Sequence, residues 1–283
     1  MKQLFLIVLL LGQSDKWHND LMEMVETERR FGRRCAEIGQ HQATYEAMAD
    51  NGILFREDPV NGKQNISSTK APPLILKFDP EFADMSLAGD MGFTSGPWEF
   101  QSALPLKEPI QYGYYATIWQ KQANGEFKVA IAHAIGIGKA MPNGYTYQLK
   151  PSDEPTDLGK VYPRGERLLD VDNQFRSKWV AKNDPDLYVG YFSEGFIFYR
   201  HNSFPLRLRS DVLRDISNLK RLDWKVIGSD QSKSNDFGYS YGSYSQEMKT
   251  GESENGYYIR YWKRNNIGEW RVFADMFKPV SKG

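Results

Sequence analysis

Apolar residues recur at helical spacing near the start of the chain. Leu21, Met24, Val25, Phe31, Cys35 and Ile38 fall on one stripe, with Glu28 set in its middle. The same spacing returns at Leu168, Val171, Phe175 and Trp179, this time around Asp172. Short second helices are predicted over 43–49 and 185–192, the latter with Asp184 as N-cap and Pro185 at its first position. A strand follows each, over 53–56 and 196–200. A further helix over about 210–219 has its counterpart near 68–77 broken by Pro72 and Pro73. The remainder alternates with period two, as strands do. These are predicted over 84–87, 91–100, 112–121 and 127–135, then over 224–228, 237–248, 256–264 and 269–277. Asn124-Gly125 marks a hairpin turn.

The pattern is written twice. Sliding the chain by 144 residues sets Glu26, Glu28 and Phe31 on Asp170, Asp172 and Phe175, and Ile53-Leu54-Phe55-Arg56 on Ile197-Phe198-Tyr199-Arg200. A shift of 143 sets Gly113-Tyr114-Tyr115 and Trp119 on Gly256-Tyr257-Tyr258 and Trp262, and Gly125-Glu126-Phe127 on Gly268-Glu269-Trp270. The Pro- and Ser-containing stretch 150–163 reads as an extended linker. The domains expected are therefore 15–149 and 164–283, after a leader over 1–14. Helices first and strands last in each half give an α+β fold with helices packed on one face of a curved antiparallel sheet.

On these residues the chain resembles the NTF2-like superfamily, and within it SnoaL-like, DUF4440-type domains in tandem. The acid of helix one, the Asp50/Glu194 position and the twice-written closing hairpin carry the resemblance. It implies cone-shaped domains with a pocket between sheet and helices, and pairing through the outer face of the sheet. It does not imply one activity, because members include isomerases, cyclases, dehydratases, ligand binders and assembly modules.

The leader changes where the protein is expected to work. Lys2, the apolar run Leu4 to Leu11 and the exit Gly12-Gln13-Ser14 have the layout of a bacterial signal peptide. The run is too short to span a bilayer, so a periplasmic or secreted chain with no membrane span is expected. Lys plus Arg and Asp plus Glu both number 36, which leaves no electrostatic footprint for nucleic acid. With Cys35 the only cysteine and four scattered histidines, no disulfide and no metal cluster is expected. Gly136-Ile137-Gly138-Lys139 lacks both dinucleotide and P-loop spacing, so no cofactor is expected either.

Strand alternation then sorts the candidate chemistry. With an even hairpin loop, Tyr114, Ile118, Phe127, Ile131 and His133 share the pocket face. Tyr45 and Arg56 join them as ligand-binding candidates. The opposite face carries Trp119, Trp262, Arg260 and Asp275, assigned to a contact between domains. His133 reads either as a general acid or base or as a hydrogen-bonded histidine near the sheet edge. Glu28 and Asp172 read either as buried acids or as ion-pair partners of Arg56 and Arg200, the repeat favouring the pair. Three functions follow. The favoured one is binding of a small, largely apolar ligand in the first half, with the second half as structural pseudo-dimer partner in a monomeric chain. The rivals are a ketosteroid-isomerase-like lyase or isomerase using His133 and Glu28, and a structural or protein-interaction envelope module.

Overall fold

The computed structural model describes residues 2–70, 74–102, 111–140, 148–163 and 165–280, with side chains from residue 12 onward apart from those of 74 and 102. It contains two units, Met1–Val161 and Tyr162–Gly283.

The first unit opens with α1 (Lys2–Ile38) and α2 (Gln40–Ala47). Gly39, at φ 85°, separates them, a left-handed position that a side chain would strain. Next come β1 (Met48–Phe55), β2 (Pro59–Asn61), α3 (Gly62–Ser68), β3 (Leu74–Phe78) and β4 (Phe82–Met85). The long strands β5 (Met91–Ser102), β6 (Gln111–Lys121) and β7 (Phe127–Ile137) and the short β8 (Lys150–Pro151) complete the unit. Strand order is β2-β1-β7-β6-β5-β4-β8, with β3 also on β5. Trp17, Leu21, Met24 and Val25 of α1 pack on Met48, Ala83, Met85, Trp119, Phe127 and Val129 to form the core. The burial of that stripe, rather than helix propensity, holds α1 on the sheet.

The second unit has α4 (Leu168–Lys182), α5 (Pro185–Gly190), β9 (Phe192–Arg200) and α6 (Arg209–Ser217). Four strands follow: β10 (Leu219–Gln231), β11 (Phe237–Met248), β12 (Ser253–Arg264) and β13 (Trp270–Pro279). Their order is β10-β11-β12-β13-β9. Asp184 caps α5 by accepting from Asp186 N at 3.0 Å, with Pro185 opening the helix. Phe175, Trp179, Tyr188, Trp224, Tyr258, Trp262 and Phe277 fill the space between α4, α5 and the sheet.

Three expectations need correction. The sheets are mixed, because β1 runs parallel to β7, β4 to β8 and β9 to β13. The stretch 150–163 is no free spacer. Lys150 N and Ser152 N donate to Glu81 O and Ala83 O, both at 2.8 Å, and Leu158 packs on the first core. Tyr162 N donates to Ser234 O in the second unit at 2.9 Å. The closing hairpin loop has five residues, not an even number: Lys121 faces Phe127 and Arg264 faces Trp270. Gly125 and Gly268, at φ 88° and 85°, turn both loops, and each amide donates back to Gln122 O or Asn265 O at 2.9 Å. The 72–73 break lies outside the described residues.

Candidate functional site

Glu28 sits where the α1 stripe meets the middle of the first sheet. Thr94 on β5 lies opposite Thr117 on β6, and Trp119, two residues further, lies opposite Gly92. Side chains at alternate positions share a face, so Thr94, Thr117 and Trp119 all point to α1. Gly92 permits the close approach, since a Cβ there would lie 2.3 Å from Met24 Sδ. Thr94 Oγ1 donates to Glu28 Oε2, and Trp119 Nε1 donates to the same oxygen at 2.7 Å. Oε1 accepts no hydrogen bond among the described residues. The carboxyl is buried, at 1% exposure. That burial pushes it up to about 7, against the pull of the two hydrogen bonds.

The second unit sets the same kind of residues in the same places and then neutralises the acid. Ser240 Oγ donates to Asp172 Oδ2 at 2.6 Å, and Trp262 Nε1 donates to Ser240 Oγ at 2.8 Å. Asp172 also accepts from Trp224 Nε1 at 2.9 Å and Tyr258 OH at 2.8 Å. Arg260 Nη1 reaches Asp172 Oδ1 at 2.5 Å, and its Nη2 reaches Asp275 Oδ2 at 3.0 Å. Tyr188 OH donates to the same Asp275 oxygen at 2.9 Å. The guanidinium lies 4.7 Å from the ring centres of both Phe175 and Trp224. Burial pushes the Asp275 carboxyl up even though Arg260 pulls the other way. At a shift of 143, Arg260 corresponds to Thr117 and Asp275 to Ala132. The first unit therefore keeps the acid, hydroxyl and indole without the cation.

This geometry overturns several assignments. Trp119, Trp262, Arg260 and Asp275 are each buried on the helix side of their own sheet, so they are not a contact between domains. The helices cover the Trp119 face of β6 rather than the Tyr114 face, the odd loop puts Phe127 on that side, and a register shift between Ile118 and Trp119 splits β7. Phe127 and Val129 thus share a side with Trp119. Ile131 and His133 share the other side with Ile118 and Tyr114. The His133 ring lies 4.3 Å from Phe55, and the sheet stands between it and Glu28. An acid–base pair of His133 and Glu28 is excluded. Of the ligand-binding candidates, only Phe127 remains beside the helices. Tyr45 is exposed, with Lys63 Nζ 5.5 Å from its ring centre. Arg56 Nε donates to Asn65 Oδ1 at 3.1 Å, in a separate and larger cleft of about 600 Å³. Nor do the expected ion pairs form. Asp172 takes Arg260, whereas Arg200 binds Asp215 at 3.0 Å.

Beside Glu28, α1, α2 and the β6–β7 hairpin enclose a cleft of about 370 Å³. Its accessible apolar patch is Phe31 and Ala47, with Ala43, Trp119 and Phe127 buried beneath them. Its rim is charged and largely paired: Arg34 with Glu46 at 3.1 Å, Lys128 with Glu126 at 3.6 Å, and Glu23 with Lys121 at 3.2 Å. Trp119 is fully buried between the cleft and Glu28, its ring beneath Phe31 and its nitrogen bound to Glu28. Glu28 does not itself line the cleft. Sequence reasoning missed Thr94 and this cleft. Thr27, Arg30 and Arg34, at steps of three and four, were the visible trace of a helix flank beside the stripe. Among the described residues, no cluster of His, Cys, Asp and Glu could hold a metal ion, and no helix is long and apolar enough to cross a membrane.

No family model matches the chain, and no curated protein matches it. Solved structures similar to it are NTF2-like and ketosteroid isomerase-like proteins. A ketosteroid isomerase-like protein from Erwinia carotovora is 8% identical, covers 40% of this chain and 95% of its own, and has a TM-score of 0.34. An NTF2-like protein from Exiguobacterium is 11% identical over 39% of this chain and 94% of its own, at 0.29. Rv0760c from Mycobacterium tuberculosis, solved with estradiol-17β-hemisuccinate, is 12% identical over 40% of this chain and 93% of its own, at 0.32.

Proposed function

We propose that the chain is a pair of fused NTF2-like halves whose first half binds a small molecule with an apolar body in the Trp119 cleft. The observation that carries this reading is the cleft itself. A small apolar patch of Phe31 and Ala47 within a charged rim, in a volume of about 370 Å³, suits a ligand the size of one or two fused rings. The second half is structural, because Arg260 and its ring of aromatics occupy the corresponding interior. The written-twice sequence supports an intramolecular pseudo-dimer that runs as a monomer. Its leader supports export with cleavage after Ser14.

Ala47→Phe fills the cleft floor and tests the reading. A panel of small aromatic and alicyclic compounds should raise the melting temperature of the wild-type chain by several degrees at saturating concentration. The shift should vanish in Ala47→Phe, and in Thr27→Trp as a second plug, while the unliganded transition stays cooperative. Shifts that survive both plugs would move the binding elsewhere, and a panel without any shift would overturn the reading.

A further inference from the structure

The charges lining the cleft balance in number but are not all paired. Arg30, Arg34 and Lys128 face Glu23, Glu46 and Glu126 along its lining. Each glutamate has a cation within reach: Glu46 has Arg34, which Glu37 shares, Glu126 has Lys128, and Glu23 has Lys121, which stands outside the lining and is closer to Asp20. That arrangement leaves Arg30. Its one hydrogen bond is from Nη2 to Thr27 Oγ1 at 3.0 Å, and no carboxylate lies within 4.0 Å of its nitrogens among the described residues. Thr27 is held in turn, its hydroxyl donating to Glu23 O at 2.8 Å. Arg30 is therefore tethered at one nitrogen on the helix flank, one residue from the Phe31 floor, with donors remaining on its guanidinium. A planar fork of donors beside an apolar floor matches a carboxylate, which accepts two parallel bonds in that geometry.

Resting on the cleft reading above, we propose that the ligand is an amphipathic monoanion. Its ring or short alkyl body lies on Phe31 and Ala47, and its carboxylate meets Arg30. The lining glutamates bear on the same question. They repel a second negative charge, so the site suits one acidic group at one end of the molecule and disfavours diacids and phosphate esters.

Naphthalene-1-acetate and its neutral amide, naphthalene-1-acetamide, share a body and differ in charge. Titrated into the wild-type chain by calorimetry, the carboxylate should bind about tenfold more tightly than the amide, and the preference should shrink with added salt. Arg30→Gln should bring the two affinities together by weakening the carboxylate alone, and Arg30→Lys should restore part of the difference. Equal affinities in the wild type, with both lost in Ala47→Phe, would overturn the anion assignment and leave the cleft reading standing. A preference that survives Arg30→Gln would also overturn it. Absence of binding by either compound would overturn both.

Discussion

Glu28 owes its chemistry to what does not accompany it. Burial at 1% exposure favours the protonated carboxyl and outweighs the two donors on one oxygen, with the negative charge of Asp79 adding to it, which is why it is pushed up from 4.5 to about 7. Between those values the folded chain keeps a proton that the unfolded chain releases. The folded state therefore has this stability in full at and below about pH 4.5, and loses it as pH rises through 7. The difference amounts to about 3 kcal/mol. Urea denaturation of the wild type at about pH 5 and about pH 8 should show that loss, and Glu28→Gln should flatten the profile. Parallel profiles for the two proteins would mean that Glu28 ionises as an ordinary surface acid. The anomaly was legible in the sequence, because a glutamate inside the Leu21–Cys35 stripe breaks an otherwise apolar face. Its partners were not. Thr94 and Trp119 come from strands 66 and 91 positions away, joined to it only by the register of the sheet.

At the scale of elements, one loop decided which residues could meet. His133 keeps the face it shares with Tyr114 and Ile118, but that face turns away from α1. Trp119 lies under the helices with Thr117 of its own strand, and the five-residue turn brings Phe127 and Val129 to its side. Element type and order were legible from periodicity. Side-chain direction was not, because it depends on the parity of a turn and on a bulge that no alternation pattern marks. The alternation that turns Trp262 to the helices turns Arg260 the same way, where it holds two carboxyls at once. Arg260→Met should destabilise the chain by roughly 3–5 kcal/mol by leaving both acids buried without a cation. Adding Asp172→Asn and Asp275→Asn to that variant should recover a large part of the loss in chemical denaturation. If the single variant unfolds like wild type, the network is not what holds this core together.

Over the whole chain, the repeat was the clearest thing written in the residues, and the boundary between its copies the least. Prolines and small polar residues suggested a spacer from 150, yet Lys150 and Pro151 add a strand to the first sheet and Tyr162 belongs to the second unit. A few hydrogen bonds to a sheet edge suffice to recruit a stretch whose composition reads as loop. The leader raises the remaining whole-molecule expectation. Trp17 is the first buried side chain described, three residues beyond the proposed exit, so removal of residues 1–14 takes away none of the described core. Expressed in a bacterium, the chain should be recovered outside the cytoplasm with Asp15 as its first residue by intact mass. A full-length cytoplasmic product would sink the export reading.

The turn that set these faces also gives the protein a chemical age. Asn124 is followed by glycine, the neighbour that least hinders attack of the next backbone nitrogen on a side-chain amide, the route by which asparagine deamidates. In the folded hairpin that nitrogen is held by Gln122 O at 2.9 Å, and the Asn124 side chain is held by Glu126 N at 3.1 Å. Ageing at Asn124 therefore proceeds only while the hairpin is open. Its slow accumulation in a stored sample becomes a clock for how often this corner of the molecule lets go, and every tick adds a negative charge beside Glu126 on the rim of the cleft.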